Sequence, residues 1–348
     1  MNKPTVQDIF RCFYSAYLEK YSPSPEQAKV ARNILNCKTG AYGANVSVCE
    51  DCGAVQIHYN SCCNRCCPMC QAVPKEMWMD ARREDVLDAP YFHLVFTVPD
   101  ILNPIIYNNQ KLLYDTLYHA ASATISELTA DPKHLGADVG YICILHTWGS
   151  EMNFHPHIHT ILLGGGLTSK NEWKDNGTAF FLPIWAISKV FRGKYMDELK
   201  NLWNTNQLEF HGTAEKYRNH YAFKELIDFC YDAEWIPYCK KTFNGAQSVI
   251  DYLGKYTHRI AISNHRIICM DDENVTFSVK DYRNKGQWKE LTLSGVEFIR
   301  RFLMHVPPKR FVRIRHYGLL CSRSKHKKLA LCRNLLGCQK YLSKLRGK

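Results

Sequence analysis

The chain of 348 residues has no apolar stretch near the roughly 18 residues needed to span a bilayer. Runs such as Leu94 to Val98 and Ile142 to Leu145 are far shorter, so no membrane span is expected. The start, Met1-Asn2-Lys3-Pro4-Thr5, lacks the basic-then-apolar pattern of a secretory signal, and a cytoplasmic location is expected. There is also no Gly-x4-Gly-Lys-Ser/Thr loop to cradle a nucleotide phosphate. Residues 301–348 contain no Asp or Glu at all. They hold 14 Lys or Arg, against 31 basic and 33 acidic residues in the first 300, so the formal net charge of +12 is a property of the last segment. A hydrophobic content of 46% with 22% charged residues excludes a disordered polymer, and the length suits two or three packed units.

A block of like charge is often a solvated tail. This one is interleaved with apolar and aromatic residues, as in Arg310-Phe311-Val312-Arg313-Ile314-Arg315-His316-Tyr317. The alternation allows Phe311, Val312 and Ile314 to be buried while Arg313 and Arg315 share one face of a short strand. Such a face suits a polyanion, because cations that neutralise phosphates release counterions and supply most of the affinity. The long basic amphipathic helix that serves membrane surfaces is not evident.

Cysteine is distributed as unevenly. Eight of the sixteen lie between Cys37 and Cys70: Cys37, Cys49, Cys52, Cys62, Cys63, Cys66, Cys67 and Cys70. In a reducing compartment such a cluster argues for metal rather than disulfides. Cys49-x2-Cys52 and Cys67-x2-Cys70 form a two-knuckle pattern in which each turn offers two thiolates to one tetrahedral zinc. Cys37, Cys62 and Cys66 remain for a second zinc, with His58 able to complete a set of eight ligands. Sites closed by four protein ligands are structural, so one or two zinc ions are expected to fold a small module.

Beyond this module, residues 76–87 read as a charged helical connector, Tyr91 to Val98 as a buried strand stopped by Pro99, and residues 112–128 as an amphipathic helix. Gly140 to Trp148 reads as a second strand, and Phe154 to Leu163, closed by Gly164-Gly165-Gly166, as a third. The plan is α+β around an antiparallel sheet. His155-Pro156-His157-Ile158-His159 sets three imidazoles at alternate positions, hence on one face of a strand. Pro156 cannot donate to a ladder, which predicts an edge strand. Alternating imidazoles make half of a metal site whose open positions can take substrate oxygens; the plain alternative is ordinary hydrogen-bonded histidines.

The segment His157-Ile158-His159 resembles the His–apolar–His (HUH) motif of endonucleases that cut single-stranded DNA with a tyrosine. More narrowly, several stretches resemble the two-tyrosine rolling-circle transposases of bacterial insertion sequences, the insertion-sequence-ninety-one family. They are Ser61-Cys62-Cys63-Asn64-Arg65-Cys66-Cys67-Pro68-Met69-Cys70-Gln71, Phe96-Thr97-Val98-Pro99, His146-Thr147-Trp148-Gly149, Asn153 through His159, Tyr252-Leu253-Gly254-Lys255-Tyr256-Thr257-His258-Arg259, and Arg315-His316-Tyr317-Gly318. Cys66 stands where the family more often has His, and Cys63 where a basic residue is usual.

The resemblance implies an HUH core, an antiparallel sheet with flanking helices of ferredoxin- or RRM-like kind. It also implies a zinc-knuckle module in front and a basic DNA-binding segment behind, a division at residues 1–88, 89–300 and 301–348. Tyr-x3-Tyr occurs four times (Tyr17/Tyr21, Tyr114/Tyr118, Tyr217/Tyr221 and Tyr252/Tyr256), so spacing alone selects none. The family segment selects Tyr252 and Tyr256 as covalent nucleophiles, on a helix leading into a strand at Ile260-Ala261-Ile262-Ser263. His157 and His159 would hold Mg²⁺ or Mn²⁺, with His155, His146 and Glu151 as candidates for a third ligand. Lys255, His258, Arg259, Arg313 and Arg315 would face DNA. The implied activity is nicking and rejoining of single-stranded or melted DNA at mobile-element ends through a 5′-phosphotyrosine. A replication initiator or relaxase using the same chemistry, and a non-catalytic zinc-containing DNA-binding protein, are the alternatives.

Overall fold

The computed structural model describes residues 3–177, 182–235, 237–241, 248, 249, 252, 254, 260–281 and 286–340. The chain forms two compact units, each assembled from three separate stretches. One comprises Met1–Glu76, Thr147–Phe154 and His258–Lys309; the other comprises Met77–His146, His155–Thr257 and Arg310–Lys348. The units thus interleave along the chain.

The first unit opens with two capped helices, Val6–Lys20 and Pro25–Asn36. The hydroxyls of Thr5 and Ser24 each accept a backbone N–H three residues on, and the side chains of Asp8 and Gln27 return to the cap N–H groups. These reciprocal bonds satisfy donors that a helix start otherwise leaves unpaired. Phe10, Phe13, Ala31 and Ile34 are buried together with Phe298 and Phe302 of the helix Gly295–Met304 and with Val275 and Phe277 of a three-stranded antiparallel sheet. Ala44–Val48 and Val55–Tyr59 form a separate antiparallel hairpin in the same unit.

The second unit contains, among the described residues, a six-stranded sheet. Its spatial order is Ile314–Gly318, Asp138–Trp148, Phe154–Leu167, Tyr91–Thr97 and Tyr238–Lys241, with Trp173–Asp175 added beside Phe154–Leu167. One face carries Ile142, Ile144, Ile161 and Leu163 under Val249, Leu319, Leu329 and Cys332. On the other, Phe96 meets Phe191 of the helix Ile184–Asn204 at 4.9 Å between ring centroids. The helix Gln110–Ala130 covers the same side, where the Leu145 N–H donates to the Tyr118 hydroxyl at 2.9 Å. The expected α+β, antiparallel arrangement is therefore present.

Several local expectations are corrected. The histidine-bearing strand Phe154–Leu167 is interior, not an edge. Its ladder with Tyr91–Thr97 begins at the pair His157 and Thr97, one residue beyond Pro156, so the proline removes no donor from it. The glycine triplet continues this strand instead of closing it. A Cβ at Gly165 would lie 2.4 Å from the Trp173 ring, and one at Gly166 would lie 2.3 Å from the Asp138 carbonyl oxygen, so glycine permits neighbouring strands to approach. Ile260–Ser263 is irregular rather than a strand, with Ala261 and Ile262 buried in the first unit's core. Phe311 is buried as expected, whereas Val312 is 58% exposed.

The described part of the acidic-free segment, residues 301–340, is no free tail. Part of it is the end of the helix Gly295–Met304, part is the sheet strand Ile314–Gly318, and Lys325–Leu336 is a helix that buries Leu329 and Cys332 in the second unit. Lys325 pairs with Asp85, Lys328 with Asp138 and Lys340 with Glu84. No helix among the described residues is long and apolar enough to cross a membrane.

Candidate active site

The cysteine cluster resolves into one closed set. The sulfurs of Cys37, Cys62, Cys67 and Cys70 all lie within 4.8 Å of one another, with Cys62 and Cys70 3.7 Å apart. Four thiolates about 2.3 Å from a tetrahedral zinc would be separated by about 3.8 Å, so the set fits the ion. Local structure holds it. The buried Gln7 amide donates to the carbonyls of Ile34 and Cys37, which fixes Cys37 at the end of the second helix. Asn64 accepts from the Cys66 N–H at 2.8 Å, and its carbonyl accepts from the Gln71 amide at 2.7 Å, which shapes the loop carrying the other three ligands. Burial pushes the Cys62 thiol up to about 12 and that of Cys67 higher still. For these two thiols a bound cation would offset the desolvation of the thiolate, which is a contribution zinc can make.

The two-knuckle reading is corrected at this point. Cys49 and Cys52 sit at the exposed tip of the hairpin, and each five-residue strand separates them by about 16 Å from its base, where the chain enters the closed set. Among the described residues, Cys49, Cys52, Cys63, Cys66 and His58 join no group of three or more metal-ligating side chains.

A second cluster lies on the sheet of the other unit. His146 from Asp138–Trp148, and His157 and His159 from Phe154–Leu167, bring ring nitrogens within 4.8 Å of one another. The Nε2 atoms of His157 and His159 are 3.1 Å apart. Nitrogens about 2.1 Å from one shared ion stand about 3.0–3.4 Å apart in octahedral or tetrahedral geometry, so this donor set also fits a divalent cation. Both rings are oriented through their other nitrogen. His157 Nδ1 donates to the His155 carbonyl at 2.7 Å, and His159 Nδ1 lies 2.9 Å from His93 Nε2. Burial lowers His93 to about 4, keeping it neutral, so its Nε2 can accept the His159 Nδ1 proton and leave His159 Nε2 free as a ligand.

His155, the other imidazole of the alternation, stands outside the trio; its Nδ1 is 3.1 Å from Asp100 Oδ1. Glu151 belongs to the first unit and pairs with Lys289 at 3.1 Å. Of the third-ligand candidates, His146 is the one brought to His157 and His159. His93 was missed by sequence reasoning. Its one signal is a polar residue inside an otherwise apolar buried strand, Tyr91–Thr97.

Tyr252 is half-buried in helical backbone with its ring 4.9 Å from that of His93. The other tyrosine pairs are occupied differently. Tyr17 stacks on Tyr21 at 5.2 Å. Tyr114 and Tyr118 are fully buried, and burial pushes both phenols well above their ordinary range. Tyr217 is buried, and Tyr221 is exposed. Tyr256, Lys255, His258 and Arg259 lie outside the described residues. Arg315 is engaged within the fold: its guanidinium pairs with Asp115 and lies 4.0 Å from the centre of the Tyr118 ring, whose hydroxyl donates to the Arg313 carbonyl.

Residues 140–328 match the family model described as "Putative transposase", and residues 9–98 match that of the transposase zinc-binding domain. The chain belongs to the IS91 family of transposases. Its relatives agree. The "Putative transposase y4qJ" of Sinorhizobium fredii (strain NBRC 101917 / NGR234) is 41% identical over 336 residues, covering 96% of this chain and 84% of that protein. The transposase for insertion sequence element IS801 of Pseudomonas savastanoi pv. phaseolicola is 29% identical over 307 residues, covering 85% and 71%. A solved conjugative relaxase TrwC, in complex with oriT DNA, shares 13% identity and covers 74% of this chain and 99% of its own. Its TM-score of 0.29 marks an overall likeness too loose to define the fold. The closed cysteine set lies inside the stretch that matches the zinc-binding domain, and His146, His157 and His159 lie inside the other matched stretch of the transposase.

Proposed function

We propose that this transposase cuts and rejoins one DNA strand at the His146, His157 and His159 site, with Tyr252 as a covalent nucleophile and Tyr256 as its counterpart. One observation carries the reading. A three-imidazole set is joined through His93 to a tyrosine ring: His159 lies 2.9 Å from His93 Nε2, and His93 lies 4.9 Å from Tyr252 between ring centroids.

The scissile phosphodiester is anionic, and a phenol with an ordinary pKa near 10 is a poor nucleophile at neutral pH. Mg²⁺ or Mn²⁺ held by His146, His157 and His159 would supply Lewis-acid polarisation of a non-bridging phosphate oxygen, and of the two Mg²⁺ suits an all-imidazole set less, since it binds mainly through oxygens and water. The protein's own part is positional. His93 and the His155 carbonyl hold two of the rings, and the Tyr252 ring lies against that of His93. The Tyr252 phenol gives up its proton, and its oxygen bonds to phosphorus as the bond from phosphorus to the 3′ oxygen breaks. The products are a 5′-phosphotyrosine and a 3′-hydroxyl. The covalent bond conserves the energy of the diester, so rejoining needs no nucleotide. A second tyrosine at position 256 would allow one cut end to be held while another is made. Lys255, His258, Arg259 and Arg313 would contribute charge toward DNA, acting on single-stranded or melted element ends.

The test is a labelled single-stranded oligonucleotide carrying the element end, incubated with Mn²⁺ and resolved under denaturing conditions. A covalent adduct is expected with the wild-type chain. It is expected to disappear in Tyr252→Phe/Tyr256→Phe and with EDTA. An adduct of undiminished yield in the double variant would overturn the assignment of the tyrosines.

A further inference from the structure

One metal-ligating pair and one apolar surface of the first unit have no part in either centre, and they belong to the same hairpin. Cys49 and Cys52 are exposed at its tip. The turn has the form of a zinc knuckle: the Gly53 N–H donates to the Cys49 carbonyl at 2.9 Å, and Gly53 adopts φ of +69°, which glycine tolerates best. The N–H groups of Cys52 and Asp51 point at the Cys49 sulfur. The pair is therefore preset for a metal, yet it supplies two of the four ligands that a structural zinc takes.

Below the tip, the register places Ala44 opposite Tyr59, Val46 opposite Ile57 and Val48 opposite Val55, all on one face. Asn45, Ser47, Gln56 and His58 form the other face. The apolar face is uncovered: Val46 is 63% exposed, Val55 61% and Ile57 54%. An amphipathic hairpin that buries neither face against its own chain is marginal in water by itself.

We propose that Cys49 and Cys52 are half of a four-thiolate zinc site completed by the same pair from a second copy of this chain, with the two apolar hairpin faces packed together beneath it. A two-fold interface is self-complementary, so a half-site at the tip and an apolar patch below it are both satisfied by one symmetric contact. The second copy is favoured over an unrelated partner because the missing ligands are two thiolates in knuckle geometry, which is what this hairpin itself displays. Ligands from the same chain are disfavoured by the reach of the strands, which hold the tip about 16 Å from the hairpin's base.

The test compares full-length wild type, Cys49→Ser/Cys52→Ser and Ile57→Asp by zinc content and by mass in solution. The wild type is expected to be a dimer. The serine variant is expected to lose about half a zinc ion per chain, to become a monomer, and to keep the zinc of the Cys37 set, which reports that the unit is still folded. Ile57→Asp, which sets a charge against an apolar surface, is expected to weaken the dimer about tenfold or more. A monomeric wild type, a dimer that survives both substitutions, or a loss of zero or one whole zinc ion per chain in the serine variant would each overturn the proposal.

Discussion

His93 shows how much a single side chain contributes without being a ligand itself. It is buried, held neutral, and hydrogen-bonded to His159, so it fixes that ring's tautomer and direction. Partners of this kind alter metal affinity by about 10–100-fold when removed. His93→Ala is therefore expected to weaken Mn²⁺ binding by about that factor in calorimetry while His146, His157 and His159 remain. Unchanged affinity would show that His93 only packs against the site. His305, in the first unit, gives a pH prediction. Its Nε2 donates to the Met152 carbonyl at 3.1 Å, and burial lowers it to about 4. The unfolded chain takes up this proton below about 6.5 and the native chain only below about 4, so stability is complete above pH 6.5 and falls between those values, by up to about 3 kcal/mol. Denaturant titrations at pH 7 and pH 4.5 are expected to show a smaller loss for His305→Gln than for wild type.

At the scale of elements, strands and helices decide which sequence motifs become sites. The periodicity of Phe154–Leu167 was legible in the sequence, since alternate positions share a face in any strand. That its neighbours bring His146 and His93 to that face was not, because strand order depends on residues remote in sequence. The hairpin acts in the opposite sense, carrying Cys49-x2-Cys52 away from Cys67-x2-Cys70 although their spacing suits a shared ion. Cys37→Ser or Cys67→Ser is accordingly expected to release the zinc of the closed set and to unfold the first unit around it, read by zinc content and circular dichroism. The helix Lys325–Leu336 likewise turns charge into structure. Lys325 and Asp85 pair with side chains only 13% and 11% exposed, and Arg82 lies 3.1 Å from the same carboxylate. Lys325→Met is expected to lower stability by about 1–3 kcal/mol in denaturant titration, a loss that a solvated lysine would not show.

At the scale of the whole molecule, the described cations of the acidic-free segment lie largely on folded elements, the strand Ile314–Gly318 and the helix Lys325–Leu336 among them. Lysines and arginines that already hold Asp85, Asp115 or Asp138 have less to offer a phosphate than exposed ones such as Arg323 and Lys327. Replacing Arg323 and Lys327 with Ala is expected to reduce the slope of log affinity for DNA against log salt by about one for each phosphate that these two cations neutralise. An unchanged slope would place the DNA path elsewhere. The chain carries its available chemistry before it folds: family membership through ordered motifs, alternating imidazoles, thiols in metal-binding number, and a basic end without acids. These are properties of composition and near-neighbour spacing, and they are readable without any coordinates. Folding then selected among them. It chose which four of the eight clustered thiols share one site, brought His146 and not His155 to His157 and His159, set His93 between them and Tyr252, and engaged some cations inside the fold. Each of these outcomes depends on distances between residues far apart in the chain, and only packed strands and helices set those distances.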